Sequence, residues 1–378
     1  MTFFFMALAI FGSAYAFVGL KLSGPHGALG VGVVWGILGL HLVATFVSFA
    51  VLRKLGPNPT TTPLFWFVYV GMGLFSFVFT GLVVAELGLL SAKFAGGVDE
   101  SRRLLLRGVL NWGVLASAGV AGAWGIRNAR RRPTVVEVDV PIKNLSPDLE
   151  GYRVAQISDL HVGPTIGADF ARMVVDTVNG LKPDLVALTG DMVDGSVEHL
   201  SSGVAPLADL KATNGVFFVT GNHEYYSGVR AWCGKMADLG ARVLLNEHHL
   251  IQRGAGRLLI AGVTDLSAGR MVPSHKSDPA AALAGAPEHD VRILLAHQPN
   301  SCRAAERHGF DLQLSGHTHG GQMFPWNLLV RFAHVFDRGL HPFGAGWVYV
   351  NTGTGYWGPP MRVGVQSEIT LLRLVRAA

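Results

Sequence analysis

The chain has 378 residues, room for two or so domains at roughly 150 residues each. Only 15% of its residues are charged and the mean hydropathy is +0.35, which is too apolar for a wholly soluble protein. The net charge of +5 is split: Met1–Arg132 holds eleven Lys/Arg against three Asp/Glu, and the remainder balances at −3, which excludes a uniformly basic enzyme surface.

Four apolar stretches come first: Phe3–Leu20, Ala28–Leu52, Leu64–Leu90 and Leu104–Ile126. A spanning helix needs about 20 mostly apolar residues, and each stretch supplies that length. Lipid offers the backbone no hydrogen-bond partners, so these runs are expected to be helices. No Lys or Arg precedes the first run, so it reads as an uncleaved helix rather than a signal peptide. The separators read as short loops: Lys21–Gly27 with Pro25, Arg53–Pro63 with three prolines, and Ser91–Arg103 with mixed charge. Glu86 is the one acidic residue inside a run; it is either functional or a side chain snorkelling from near the polar end, and its position favours the second. The cationic excess beside these runs favours anionic lipid headgroups. No Lys/Arg stripe interleaved with aromatics marks a nucleic-acid groove, so no such partner is expected. Arg53, Lys54, Arg127 and Arg130–Arg132 lie on one side of the membrane against Lys21, Lys93, Arg102, Arg103 and Arg107 on the other, a bias that puts the N-terminus and the following domain in the cytoplasm.

The organisation expected is a transmembrane helical domain over residues 1–132 and a catalytic domain over 133–378. In the second part Val135–Val140, ending at Pro141, reads as an edge strand. Arg153–Ser158, Leu185–Thr189, Val216–Thr220, Val243–Leu245, Leu258–Val263, Ile293–Ala296, Leu312–Ser315, Trp347–Asn351 and Glu368–Leu374 read as further strands. Helices are expected at Ala168–Asn179, Val204–Leu210 and Arg230–Leu239, the last stopped by Gly240. Asp278–Glu288 reads as a surface loop. Strands alternating with helices imply an α/β core. The two cysteines, Cys233 and Cys302, make no disulfide framework.

Five polar clusters follow strands: Ser158-Asp159-Leu160-His161, Gly190-Asp191, Gly221-Asn222-His223-Glu224, Ala296-His297 and Gly316-His317-Thr318-His319-Gly320. Each alone fits a turn or a hydrogen-bonded core residue. Together they put hard or borderline ligands at five strand ends, where loops of an open α/β sheet converge. Imidazole with carboxylate and amide oxygen suits Mn, Fe, Zn or Co rather than Ca²⁺ or a thiolate-seeking ion. Seven such ligands are too many for one catalytic ion, and they fit two sharing a carboxylate. Glycines at Gly190, Gly221, Gly316, Gly320 and Gly321 would let the backbone turn sharply around them.

The ordered set DxH, GD, GNHE, H and GHTHGGQ resembles the calcineurin-like metallophosphoesterase superfamily. The run Val154–His161 and the tail Tyr356–Glu368 look most like its bacterial membrane-anchored branch. The resemblance covers Val135–Leu374 and implies a four-layer αββα sandwich, here preceded by a bundle of about four transmembrane helices. It implies that Asp159, His161 and His319 bind the first metal, that Asp191 bridges both, and that Asn222, His297 and His317 bind the second. The two divalent ions would be Mn, Fe or Zn. In the family a metal-bridging hydroxide attacks phosphorus in line, and the position of His223 contacts the phosphate and protonates the leaving oxygen. Glu224 either orients His223 or finishes a turn, and Asp265 reads as structural. Arg362 is either a surface residue or a substrate-binding group that neutralises a second phosphate. Phe324, Trp326, Phe332 and Phe336 form either an apolar lip or aromatic core.

The expected function is a membrane-bound two-metal phosphoesterase whose partners are the bilayer and a lipid-linked or sugar-nucleotide lipid substrate; some members of the resembled family cleave UDP-diacylglucosamine. A phosphodiesterase of soluble nucleotides with an anchor is the alternative, and a metal-dependent sensor or scaffold is the alternative of another class.

Overall fold

A computed structural model describes residues 2–24, 28–94 and 100–377. The loops expected at Lys21–Gly27 and Ser91–Arg103 fall partly outside these, Pro25 included. Four helices open the chain: α1 (Thr2–Ser23), α2 (Ala28–Leu55), α3 (Thr62–Phe94) and α4 (Glu100–Arg130). The last three contain segments long and apolar enough to cross a membrane, and Ala9–Ser23 of α1 is a shorter apolar helix. The expected count of four spans is thus approximate. Proline at the first turn of α3 costs nothing, since its missing N–H would have no helical partner there.

Two polar clusters inside the bundle are internally paired, as a low-dielectric setting favours. Glu86 on α3 receives Lys21 Nζ at 2.8 Å and Arg107 Nε at 3.1 Å, so one carboxylate ties α1, α3 and α4 together. It is a clamp between helices rather than a side chain snorkelling alone. His41 on α2 is 2.6 Å from the Tyr15 hydroxyl and 3.0 Å from the Val68 carbonyl oxygen, which accounts for both ring nitrogens.

The remainder builds two six-stranded sheets. The first contains β1 (Thr134–Ile142), β2 (Arg153–Ile157), β3 (Leu185–Leu188), β4 (Val216–Phe218) and β5 (Ala241–Val243). The second contains β6 (Glu247–Arg253), β7 (Gly256–Gly262), β8 (Val291–Leu295), β9 (Leu312–Ser315), β10 (Gly339–Phe343) and β11 (Gly346–Val350). The last strand, β12 (Glu368–Arg376), returns to the first sheet between β1 and β2, giving the order β1-β12-β2-β3-β4-β5. The second runs β10-β11-β9-β8-β7-β6. As expected, β1 is an edge strand; it pairs only with β12, so Pro141 sits inside it without removing a ladder bond on a second side.

Residue alternation separates the layers. Val154, Leu185, Ala187 and Phe217 meet Leu258, Ile260, Ile293, Leu295, Leu312 and Leu314 between the sheets. Ala155, Ile157, Val186, Leu188 and Phe218 face outward onto α5 (Ala168–Leu181), α6 (Val197–Val204) and α8 (Val229–Asp238), through Phe170, Val174, Val178, Leu200 and Trp232. Ala261, Val263, Leu294 and Ala296 cover the other outer face with Ala282 and Ala305 from short helices. This is the four-layer αββα sandwich. The helix expected at Val204–Leu210 starts earlier, as α6, and continues as a 3-10 turn over Ala205–Asp209, because Pro206 suits a helix start and not its interior. Within the expected loop Asp278–Glu288 a short helix, Pro279–Leu283, forms because Asp278 caps it through the N–H groups of Ala280 and Ala281.

The clamp at Glu86 generates a test. Glu86→Ala leaves Lys21 and Arg107 facing each other without a counter-charge. The detergent-solubilised chain should melt several degrees lower, and adding Lys21→Ala should recover part of that loss. An unchanged melting temperature in Glu86→Ala would remove the clamp from the account.

Candidate metal centre

Strands β2, β3, β8 and β9 run parallel or adjacent in their sheets and release their loops at one end. Asp159 and His161 follow β2, Asp191 follows β3, His297 follows β8, and His317 and His319 follow β9. Gly221-Asn222 opens α7 (Asn222–Ser227) just beyond β4. The backbone there is strained: Asp159, His161, Asp191, His317 and His319 all have φ between 50° and 71°. Left-handed conformations cost non-glycine residues on the order of 1–3 kcal/mol each, so the surrounding structure must over-determine them.

Part of that enforcement is visible. Glu224 accepts the N–H groups of Gly221, Asp191 and Met192 at 2.7, 3.0 and 2.7 Å, stitching the β3 and β4 loops together. It therefore finishes and locks two turns rather than orienting His223. Asp159 accepts the His317 N–H at 2.9 Å, and Asp191 accepts the His223 N–H at 2.8 Å. Two glycines are required by close approach: a Cβ on Gly316 would lie 1.9 Å from Ser158 Oγ, and one on Gly221 would lie 2.1 Å from Asp191 Oδ1. Asp265 is structural, receiving both Ser267 N–H and the Gln298 amide, the latter at 2.9 Å.

The side chains converge in two groups. Asp159 Oδ1 lies 3.3 Å from His319 Nε2, which is 3.1 Å from His161 Nε2. Asp191 Oδ2 lies 3.0 Å from His297 Nε2, which is 3.1 Å from His317 Nδ1. Within each group the ligand atoms lie within 4.8 Å of one another. Asn222 Oδ1 is buried and accepts no hydrogen bond, an orphan acceptor that a cation would satisfy.

In the first group His161 Nδ1 donates to Asp194 at 3.0 Å, which leaves its Nε2 an acceptor facing His319 Nε2 and Asp159 Oδ1. Without a cation a proton must lie among these three atoms, at the position a divalent ion would take. A neutral His319 that ligates through Nε2 carries its hydrogen on Nδ1, so Arg362 Nη2, 3.1 Å away, packs against that nitrogen rather than donating to it. In the second group His297 donates from Nδ1 to the Thr189 carbonyl at 2.9 Å. Burial would lower its pKa, but Asp191 raises it well above the usual imidazole value, placing a proton again where a cation fits. Burial pushes the pKa of His317 down to about 3 and that of His319 to about 4, so both are neutral and suited to ligation. The donor set fits two divalent ions of borderline hardness.

One carboxylate of this cluster lies outside the sequence reading. Asp194 sits three residues after Asp191 and receives both His161 Nδ1, at 3.0 Å, and His223 Nδ1, at 2.6 Å. Burial would raise its pKa, but the two histidines hold it well below the carboxylate range. The signal available was a second carboxylate in the same strand-end turn. His223 is buried enough to be depressed, yet Asp191 and Asp194 together push it up to about 9. Its Nε2 lies 3.9 Å from Asp191 Oδ2, and Tyr226 and Trp357 flank the ring edge-on at 5.3 and 5.6 Å.

Arg362 is placed unlike either expectation. It is fully buried, with Nη1 donating to Thr352 O at 2.7 Å and His319 O at 3.2 Å and Nη2 to Gly355 O at 2.6 Å. Its remaining donor, Nε, is buried too, so a contact with an incoming phosphate is replaced by one with the back of His319.

The calcineurin-like phosphoesterase family model matches residues 152–321, which contain every residue of both groups. A "Transmembrane protein with metallophosphoesterase domain" from Danio rerio is 38% identical over 324 residues, covering 82% of this chain and 72% of that protein. One of the same description from Bos taurus is 38% identical over 323 residues, covering 82% and 72%. An "Uncharacterized metallophosphoesterase" from Helicobacter pylori is 36% identical over 307 residues, covering 79% and 80%. The chain belongs to the calcineurin-like phosphoesterase family of metal-dependent phosphoester hydrolases, whose members use a dinuclear metal site. With its apolar helices it is an integral membrane member of that family.

Asp194→Asn should weaken metal retention about 10–100-fold, through loss of the charged partner of His161. It should also lower turnover of an aryl phosphodiester by at least about 10²-fold, through His223. Metal analysis after dialysis and steady-state kinetics check both; wild-type values for either would detach Asp194 from that function.

Proposed function

We propose that this protein is a membrane-bound two-metal phosphodiesterase or pyrophosphatase acting on a lipid-linked phosphate. Asp159, His161 and His319 would hold one divalent ion, and Asn222, His297 and His317 the other, with Asp191 between them. Bound ions supply Lewis acidity to the phosphoryl oxygens and activate a water. The chain's own contribution is to place and charge the remaining groups. Asp194 holds His223 by Nδ1, which leaves Nε2–H free to protonate the departing oxygen. The flanking Asp191 and Asp194 carboxylates favour the imidazolium, the form that can give that proton.

The observation that carries the substrate class is an apolar lip beside the His-x-His turn. Phe324, Trp326, Leu328, Leu329 and Phe332 are all exposed, Phe332 by 82%. The lip is fastened to a membrane helix: Trp326 Nε1 donates to Ser76 Oγ on α3 at 3.0 Å, and Met323 packs with Phe77 and Ala118. A hydrocarbon core about 30 Å thick takes about 20 helical residues. Counted back from Leu90, the last apolar residue before Ser91 and Lys93 on α3, that many residues reach Gly71; counted from Leu105 on α4, they reach Trp124, so Ser76, Phe77 and Ala118 fall within the last two turns of both. Both counts bring the lip to the level of the near leaflet. Exposed aromatics at that level would be covered by lipid rather than water, and a substrate's acyl chains could stay in the leaflet while its phosphate reaches the metals.

A second reading rests on Trp357 and Tyr226, exposed by 56% and 67% beside His223, which could stack on a base and favour soluble nucleotides.

One experiment separates them. With Mn²⁺, the full chain should hydrolyse both a generic aryl diester and a lipid-linked phosphodiester or diphosphate in vesicles, and Asp191→Asn should abolish both. Phe324→Ser with Phe332→Ser should cut turnover of the lipid in vesicles about tenfold or more, by loss of apolar contact, and spare the aryl diester. Equal effects on both substrates, or a nucleotide preferred over every lipid in the panel, would sink the lipid assignment.

A further inference from the structure

We propose that the membrane bundle is a working part of the metal centre: helices α3 and α4, acting through Met361 and Arg362, set the position of His319. Resting on the two-metal reading above, this assigns Arg362 as a positioning residue and gives the bundle a role beyond anchoring.

The connection can be followed atom by atom. Both backbone polar groups of Arg362 are bonded to α4: its N–H donates to Gly125 O at 3.0 Å, and its carbonyl accepts from Asn128 Nδ2 at 3.3 Å. The preceding side chain, Met361, is fully buried between the two helices. Its approach depends on missing side chains. A Cβ on Gly73 of α3 would lie 2.5 Å from Met361 Sδ, and one on Gly125 would lie 2.9 Å from Val363 Cγ2 and 3.0 Å from Met361 Cβ. Small residues thus let the helix backbones press directly on this segment, as they do between helices in membranes.

From there the Arg362 side chain runs inward. Nη1 donates to the main-chain oxygen of His319 at 3.2 Å, and Nη2 lies against that residue's Nδ1 at 3.1 Å, so one guanidinium holds the backbone and limits where the ring can lie. The planar fork fixes direction as well as distance, which a lysine could not do. The same guanidinium holds Thr352 O, Gly353 O and Gly355 O. That loop in turn bonds the segment bearing Asp159: Thr354 N–H donates to Ser158 O at 2.8 Å, and Gly355 N–H to Asp159 O at 3.0 Å. All these bonds lead to the group Asp159, His161 and His319. The group Asp191, His297 and His317 has braces of its own in Glu224 and Thr189, besides the His317–Asp159 and His161–Asp191 backbone bonds that join the two groups. Displacing α4 against Arg362 should therefore disturb one ion and leave the other.

The test uses the full chain in detergent, with manganese bound per chain measured after dialysis across a series of free Mn²⁺ concentrations. Wild type should hold two ions. Gly125→Leu and Arg362→Met should retain one with unchanged affinity and bind the other about 10–100-fold more weakly, the usual scale for losing a group that orients a ligand. Arg362→Lys should fall with Arg362→Met, because charge without the fork does not position the ring. Gly113→Leu, in the same helix at a position where an added Cβ meets nothing within 4 Å, should bind as wild type. Gly125→Ala provides a milder step should the leucine variant fail to fold, and should show the same selective weakening to a smaller degree. Two ions bound with wild-type affinity in both Gly125→Ala and Arg362→Met would overturn the inference while leaving the two-metal reading intact. Equal weakening of both ions would also overturn it. A wild-type chain binding no metal would remove the reading beneath it.

Discussion

Three carboxylates, Asp159, Asp191 and Asp194, lie at or just beneath the surface of one cleft, and the structure around them exists to offset that charge. Ionised groups removed from water cost several kcal/mol each unless paired and hydrogen-bonded. Here the pairing comes from four histidines, His161, His223, His297 and His319, each of which belongs to a different strand end from its nearest carboxylate partner. Compensation therefore requires both sheets. The first brings the carboxylates and the second brings His297, His317 and His319, so folding of the sandwich and assembly of the site are one event. The left-handed backbone at five of these residues is the strain accepted to aim ligands from short loops at a common point.

The site was legible in the sequence to the extent that it is local. Strands such as Leu185–Leu188 and Leu312–Ser315 are short apolar runs closed by glycine, and a ligand placed just after one is visible without knowing what faces it. Asp194 was not, because its part depends on two histidines brought in by other loops. Glu224 could not be assigned for the same reason: its partners are backbone N–H groups, which leave no trace in side-chain patterns. Arg362, in a Pro- and Gly-rich stretch, reads from sequence as a surface residue or a phosphate-binding group, and the packing of Met361 against two membrane helices buries it. Strands β6 and β10 escaped notice because both are edge strands with little apolar alternation; Glu247–Arg253 is nearly all polar and forms because β7 offers it a full ladder. The apolar run Val204–Leu210 spans two elements, the end of α6 and the 3-10 turn that Pro206 opens, so apolar content does not mark its start.

The junction between the two parts of the chain bears on what the enzyme can reach. Only three residues separate the end of α4 at Arg130 from the start of β1 at Thr134. Arg130 Nη1 donates to Thr165 O at 3.1 Å, and Arg132 Nη1 to Thr177 Oγ1 at 3.1 Å, so the exit from the helix is fastened to the sandwich on both sides of that link. At the other end of the interface Gly56, between α2 and α3, lies so close to His199 that a Cβ there would meet its ring at 2.3 Å. A domain held at Gly56, Gly73, Gly125, Arg130 and Trp326 cannot swing on a tether to search the aqueous phase.

Such fixation narrows the kinds of substrate that gain from it. A soluble phosphodiester reaches a cleft from any direction and has no need of a rigid mount. A lipid-linked phosphate diffuses in two dimensions, and its headgroup stands at a fixed height above the acyl region, so the height of the cleft decides whether phosphorus can meet the metals at all. On the proposed lipid reading, the bonds that would set this height, Trp326 to Ser76 and Arg362 to Gly125, are the same ones that join the apolar helices to the lip and to His319. Mounting and catalysis would then not be separate tasks assigned to separate halves of the chain: the contacts proposed to level the site against the leaflet also bear on a side chain proposed to hold a metal.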